Sequence, residues 1–493
     1  HAVGTREDCP LMLLRRAEFH TFSADGAPHV YLIPSAAVFR LDGASAAVLD
    51  TLASEDLAPA ALADRLADRF PRPLVQETVD ELLAAQAIRT IAEPVPAPRA
   101  DGARAGGVGT AGPRKRIPLT TLVLNVTSKC NLSCKYCYEY GEDRISEPAT
   151  KPRFMSEETA RQSVDFMLAE SGNQKAVHLT FFGGETLLNF KVLQYALRYA
   201  KEKAGELGKT VDASLTTNAT LLREEIIDWM VAENVGVTVS MDGAQEQQDK
   251  LRVFANGAGS YDVVIPRVKE LLRRHTRRPI GARVTLTKDN LRVREIYRHL
   301  KEEIGFWEVG FAPVTTKWQR DYAIADEGFE TMLGEFQLLA QEYLETSLQG
   351  RHHGFSNVRD TLEEIHKGVA KAYPCGAGLG LLGVATDGDV ALCHRFAGSD
   401  SHKLGTVTGG IDHELQDDYL RKHHIDNKTD CRTCWARSLC AGGCYHEAHT
   451  RYGSTEQPNL HYCDWIRRWS ATCLEVYATL AARRPEFLRQ FDA

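Results

Sequence analysis

No apolar run in this 493-residue chain approaches the ~18 residues that a membrane-spanning helix needs. An excess of basic charge is missing too: 59 Lys and Arg stand against 66 Asp and Glu, a net charge of −7. The chain therefore has no overall attraction to nucleic acid or anionic lipid. Near the start, Leu11–Leu14 is too short for a secretory signal and is followed by Arg15, Arg16 and Glu18. These absences predict a cytoplasmic protein with neither nucleic acid nor membrane as partner. Cysteine, by contrast, is plentiful at twelve residues. In a reducing compartment such a set points to metal ligands or catalytic groups rather than disulfides. The distribution is uneven. Cys9 is alone, Cys130, Cys134 and Cys137 fall within eight residues, and the other eight follow residue 374.

Residues 93–116, EPVPAPRADGARAGGVGTAGPRKR, are rich in Pro, Gly and Ala without apolar periodicity, which predicts a flexible linker over 93–117. It sets off an N-terminal module, 1–92. There Val30–Ile33 and Ala37–Leu41 read as strands and 45–53, 57–69 and 74–87 as helices, a winged-helix-like order. DNA binding is disfavoured by charge: Cys9–Ala92 holds seven Arg and no Lys against eleven Asp and Glu. Beyond the linker, strands at Thr121–Val126, His178–Phe182, Val211–Leu215, Val235–Ser240, Ala282–Leu286 and Glu308–Ala312 alternate with helices. Six β/α units in succession predict an α/β fold, a partial barrel of parallel strands over 118–320. In such folds the chemistry sits at the C-terminal strand ends, where the three-cysteine loop follows the first strand. A bridging helical region, 321–372, and a cysteine-rich domain, 373–493, complete the expected organisation.

Four thiolates close a zinc site or an iron–sulfur cube; three leave one metal position free. The loop CNLSCKYC, spaced C-x3-C-x2-C with Tyr136 before the last cysteine, resembles the signature of the radical S-adenosylmethionine (SAM) enzymes. The resemblance implies that Cys130, Cys134 and Cys137 hold a [4Fe-4S] cluster whose free iron binds SAM, whose reductive cleavage gives a 5′-deoxyadenosyl radical. It also implies SAM contacts further along: Tyr136, the Gly183-Gly184-Glu185 turn, Asn218 in Thr-Asn-Ala where the family often has Thr-Asn-Gly, and Ser240 and Asp242 in Ser-Met-Asp-Gly. Glu185 would offer an anionic acceptor to the SAM ammonium.

The later run, Cys375-x12-Gly388-x4-Cys393 and Cys431-x2-Cys434-x5-Cys440-x3-Cys444 with Cys463, resembles the SPASM auxiliary-cluster extension of peptide-modifying radical SAM enzymes. Carried over by position, Cys431, Cys434, Cys440 and Cys463 would close one auxiliary [4Fe-4S] cluster. Cys375, Cys393 and Cys444 would hold a second with an open iron, giving three clusters in all. Cys9 and Cys473 are left as ordinary cysteines. His394, beside Cys393, and His446, two residues past Cys444, are candidate ligands, with a place next to a cluster or at the surface the preferred reading. Taken alone, Cys431-Arg-Thr-Cys434 would suggest a zinc ribbon.

The N-terminal module resembles the leader-recognition domain of peptide-modifying enzymes, in which a leader adds a strand to a sheet edge, here near Ala37–Leu41. The strings around 130–143, 181–189 and 440–447 resemble the quinohemoprotein amine dehydrogenase maturase group and related thioether-forming peptide maturases. That resemblance implies a ribosomal precursor peptide as substrate and thioether bonds from Cys sulfur to a side-chain carbon of Asp or Glu. A reductant such as flavodoxin or ferredoxin is implied as electron donor. Asp360 and Glu308 are candidate bases for the incoming thiol, against a salt bridge or helix cap. Arg252 and Arg395 are candidate contacts for an acidic peptide. The alternatives are a carbon–carbon (cyclophane) crosslinking maturase, a sulfatase-type Cys or Ser oxidase, and a non-catalytic iron–sulfur or zinc DNA-binding regulator.

Overall fold

The computed structural model describes residues 12–92, 116–139, 141–146 and 151–492. Cys9, Tyr140 and nearly all of the expected linker lie outside them. The chain divides into two compact units: His1–Arg116 with Leu362–Ala370 and Leu474–Ala493, and Ile117–Thr361 with Lys371–Cys473. Among the described residues no helix is long and apolar enough to cross a membrane.

In the first unit, β1 (Met12–Arg16) pairs with β5 (Ile88–Ala92), while β2 (Phe19–Ala24), β3 (Ala27–Leu32) and β4 (Ala37–Arg40) form an antiparallel sheet. The sequence reading missed β1, β2 and β5. Asp25 and Gly26 both take positive φ between β2 and β3, the backbone of a tight hairpin turn. Three helices follow: α1 (Gly43–Thr51), α2 (Pro59–Arg65) and α3 (Arg72–Ala84). Asp42 caps α1 by accepting from the Ser45 N–H at 2.7 Å. Leu14, Val30, Leu32, Val48, Leu62, Val75 and Val79 share one core. β4 is an edge strand, and Phe39 on it is 37% exposed.

The second unit is built on six parallel strands in the order β11-β10-β9-β8-β7-β6: β6 (Thr121–Thr127), β7 (Ala176–Gly183), β8 (Thr210–Thr217), β9 (Gly236–Ser240), β10 (Ile280–Leu286) and β11 (Glu308–Pro313). Between them run α4 (Glu157–Glu170), α5 (Phe190–Glu206), α6 (Glu224–Glu233), α7 (Gln245–Leu251), α8 (Tyr261–Arg274) and α9 (Val293–Arg298). The fold is thus mixed α/β with a central parallel sheet. Strand alternation decides the faces. On β7, Leu179 and Phe181 are fully buried, whereas His178, Thr180 and Phe182 on the other face are half-buried. Helix α5 covers its apolar stripe, Val192, Leu193, Ala196, Leu197, Ala200 and Ala204, at helical spacing. Truncating Leu197 to Ala would cost about 2–5 kcal/mol. α4 begins at Ser156, which accepts from Thr159, with Glu157 and Glu158 in the first turn.

The sheet does not end at β6. β12 (Leu381–Val384) pairs in parallel with β6, and β13 (Asp389–Ala391), β14 (Lys403–Thr406) and β15 (Gly410–Ile411) extend it antiparallel to ten strands. The cysteine-rich C-terminal region therefore shares the sheet of the partial barrel.

Candidate active site and cysteine sets

The three-cysteine loop leaves the C-terminal end of β6 and packs on the turn that ends β7. Gly184 donates to Thr127 O at 3.0 Å and Glu185 to Lys129 O at 2.8 Å. The approach is close enough that a Cβ on Gly184 would lie 2.1 Å from Lys129 O, and one on Gly183 (φ +122°) 2.4 Å from Thr127 O. These glycines are required by the cysteine loop itself. Within the loop, Cys137 N–H donates to Cys134 O at 3.1 Å and Leu132 N–H points at the Cys130 sulfur at 3.4 Å. Burial pushes the Cys130 thiol up to about 11 and raises Cys134, with Arg252 pulling both back. A bound metal ion inverts that balance and deprotonates its thiol ligands.

Glu185 is 1% exposed and anchors the neighbouring strand ends. One of its oxygens accepts from Thr217 Oγ1 at 2.7 Å and Leu187 N–H at 3.1 Å, the other from Asn218 N–H at 2.8 Å. Three of a carboxylate's roughly four acceptor positions are filled, so the side chain serves the turn first and has one position left for an ammonium. Asn218 holds the loop through Asn131 Oδ1 at 3.0 Å and lies 3.8 Å from the Cys130 sulfur. Ala219 adopts φ +63°, a left-handed conformation that glycine takes more freely.

Asp242 is also buried. It accepts from the Tyr136 hydroxyl and, at 3.1 Å, from Thr285 N–H, while Arg252 donates to Tyr136 Oη at 2.7 Å. The Tyr136 phenol is thus committed to the protein interior and fixes the loop. Arg252, a candidate for meeting an acidic peptide, is buried in this cluster instead. Ser240 ends β9 on the half-buried face and makes no side-chain hydrogen bond among the described residues.

Cys375, Cys393 and Cys444 lie within electrostatic reach of one another, and burial pushes the Cys393 thiol up to about 12. Tyr138, next to Cys137, packs against His394, next to Cys393, with ring centroids 6.4 Å apart, so the first cysteine loop and this second set approach each other at its ring. The Arg395 guanidinium stacks on its ring at 4.4 Å, with His446 edge-on at 5.4 Å. Both His446 ring nitrogens are buried without a hydrogen-bond partner among the described residues. His394 packs on Phe182 at 4.5 Å, and burial holds it neutral with a pKa of about 3.

Cys431, Cys434, Cys440 and Cys463 line one cavity with about 460 Å³ of empty space, its open mouth included. They surround a volume: among the described residues no three His, Cys, Asp or Glu converge as on a single metal ion. A ring of four thiols about a cavity fits a cluster. Cys473 is buried away from them in the core.

The two candidate bases sit elsewhere. Glu308 is the first residue of β11, at the end of the sheet opposite the cysteine loop and not at the strand's C-terminal end. It faces Arg359 at 3.4 Å, and Asp360 pairs with the same guanidinium at 2.7 Å. An ion-paired cluster describes both. The sequence reading missed Thr217 and Asn131, Thr220, which donates to Asn218 Oδ1 at 2.6 Å and accepts from Asn131 at 2.7 Å, and Tyr138, next to Cys137.

The Radical SAM superfamily profile matches residues 124–300. A serine-type anaerobic sulfatase-maturating enzyme of Bacteroides thetaiotaomicron is 26% identical over 374 residues, spanning 70% of this chain and 86% of that enzyme. The radical SAM cyclopropyl synthase TigE of Paramaledivibacter caminithermalis is 23% identical, spanning 70% and 72%. Among solved structures, native anSMEcpe with bound AdoMet and Cp18Cys peptide superposes with a TM-score of 0.61 at 21% identity, covering 76% of this chain and 99% of that one; this likeness is one of fold.

Proposed function

We propose, from the premise that this chain belongs to the radical SAM superfamily, that it matures a ribosomally made peptide by forming thioether bonds. The bonds would join a Cys sulfur to a side-chain carbon of Asp or Glu. The superfamily implies a [4Fe-4S] cluster and SAM, which together supply a 5′-deoxyadenosyl radical that takes a hydrogen atom. The observation that carries the thioether reading is the position of Tyr138, one residue past Cys137, whose ring meets those of His394, beside Cys393, at 6.4 Å and His446, two residues past Cys444, at 5.4 Å. That packing supports a reading in which Cys375, Cys393 and Cys444 stand near the loop where hydrogen would be removed.

The chain's residues divide the work. Cys130, Cys134 and Cys137 would hold the first cluster, braced by Gly183 and Gly184. Glu185, Asn218 and Ser240 would receive SAM. Cys375, Cys393 and Cys444 would hold an auxiliary cluster with room for the substrate thiolate, and Cys431, Cys434, Cys440 and Cys463 a second auxiliary cluster. Making C–S from C–H and S–H removes two hydrogens. One would leave as an atom and the other as a proton, and an auxiliary cluster held by these cysteines would accept the remaining electron. The edge strand β4 suits a leader peptide that adds a strand. The likeness to sulfatase-maturating enzymes favours a second reading, oxidation of a single Cys or Ser to an aldehyde.

The first test is iron and sulfide analysis with electron paramagnetic resonance on anaerobically prepared protein. Roughly twelve irons, falling to roughly eight in Cys130/Cys134/Cys137→Ala, support three clusters; zinc in place of iron ends the proposal. Peptides encoded beside the gene then separate the readings by mass. Loss of two hydrogens together with the alkylatable thiol supports a thioether. An aldehyde supports the second reading.

A further inference from the structure

Resting on the peptide-maturase reading, the substrate's acidic residue needs a receptor, and the interior face of the sheet presents one. Arg283 is the middle residue of β10. Ile280, Ala282, Val284 and Leu286 are buried on one face, so Arg283 stands on the other. Its neighbours in register are Ser240 on β9 and Gly310 on β11. Gly310 leaves the space that the side chain crosses: a Cβ there would lie 3.0 Å from Arg283 Nη1. Arg395 donates to Thr315 Oγ1 at 3.1 Å, just beyond β11, and rests on Tyr138.

Neither guanidinium is hydrogen-bonded to a carboxylate among the described residues. Asp360, whose field favours the charge of Arg283, is itself bonded to Arg359 at 2.7 Å. Glu447, near Arg395, is engaged by Arg451 and His461, each at 3.2 Å. Arg283 keeps exposure to solvent, yet desolvation by the surrounding protein first, and then Arg395, lower its proton affinity. Two guanidiniums within each other's field, neither bonded to a carboxylate among the described residues, favour an anion, and arginine's planar fork matches a carboxylate.

We infer that Arg283 and Arg395 form the binding site for the side-chain carboxylate of an acidic residue in the substrate peptide, held over the sheet beside Ser240. The pair thereby selects Asp or Glu over Asn or Gln. A second carboxylate, that of SAM, shares this chemistry, and the experiment separates the two.

The full chain, anaerobically reconstituted with its clusters, is titrated with two synthetic peptides that differ only in carrying Asp or Asn beside one Cys. SAM affinity and 5′-deoxyadenosine formation are measured on the same samples. Wild type should bind the Asp peptide about tenfold tighter than the Asn peptide. Arg283→Gln and Arg395→Gln should abolish that preference with SAM affinity and iron content unchanged, and Arg283→Lys should keep part of it. Equal binding of the two peptides by wild type overturns the site, as does no binding of either. So does a preference that survives both Gln variants, or a tenfold loss of SAM affinity in Arg283→Gln, which would assign the arginine to SAM. Failure of wild type to form 5′-deoxyadenosine would instead strike the proposed function and leaves the Asp preference measurable.

Discussion

Glu185 accepts a hydrogen bond from the backbone N–H of Asn218 at 2.8 Å, so one buried carboxylate ties the end of β7 to the end of β8. Glu185→Gln keeps the shape but turns an amide NH2 toward donors that need an acceptor. Leaving such groups unpaired costs about 1–3 kcal/mol. The variant should unfold at lower denaturant and bind SAM at least about tenfold more weakly, read by equilibrium dialysis. Unchanged SAM binding would show that the turn does not depend on this carboxylate.

Gly184→Ala tests the brace beneath the cysteine loop. A Cβ 2.1 Å from Lys129 O cannot be accommodated without moving backbone. Iron should fall by roughly the four atoms of one cluster, with the auxiliary resonances retained. A full iron complement in a folded Gly184→Ala protein would contradict the geometry.

Lys428 is buried, its ammonium has no hydrogen-bond partner among the described residues, and it lies in reach of Cys431, Cys440 and Cys375. A cation so placed favours the reduced, more negative state of any cluster those thiols hold. A unit charge at roughly 10 Å in an effective dielectric of about 20 is worth roughly 1–2 kcal/mol. Lys428→Met should therefore lower an auxiliary reduction potential by tens of millivolts in a titration followed by electron paramagnetic resonance. An unmoved potential would remove Lys428 from this role.

His353 supplies the pH dependence. Burial, with Lys301 and His352 adding to it, lowers its pKa from 6.5 to about 4, and its ring stacks on Tyr297 at 4.8 Å. The unfolded chain binds the proton more readily, so the contribution is complete above pH 6.5 and declines as pH falls toward 4, by at most about 3 kcal/mol. His353→Phe keeps the stacking and should flatten this part of the stability profile. Parallel profiles for the two proteins between pH 6.5 and 4 would rule the effect out.

Most of the parallel core could be read because its strands alternate with amphipathic helices whose periods differ. The Gly-Gly-Glu and Ser-Met-Asp-Gly turns were legible because tight turns constrain residue type. Strands β1 and β2 were not. Met12–Arg16 ends in two arginines and Phe19–Ala24 carries His, Thr and Ser, so neither shows a clean period of two, although Asp25-Gly26 forms the turn that joins β2 to β3. The Arg283 and Arg395 pair was invisible for another reason. The two lie 112 positions apart, and only the register of β10 with β11 and the fold of the segment after Cys393 bring them into each other's field. Glu308 misled because a strand's first and last residues look alike in sequence, while the sheet places them at opposite ends.

The ladder from Leu381–Val384 to Thr121–Leu124 makes the first cysteine loop and the segment between Cys375 and Cys393 branches of a single girder. Separation between the centres they would hold is then tied to interstrand spacing. Electrons crossing between them would travel a path of fixed length, and amide exchange along β6 and β12 should slow and quicken in step.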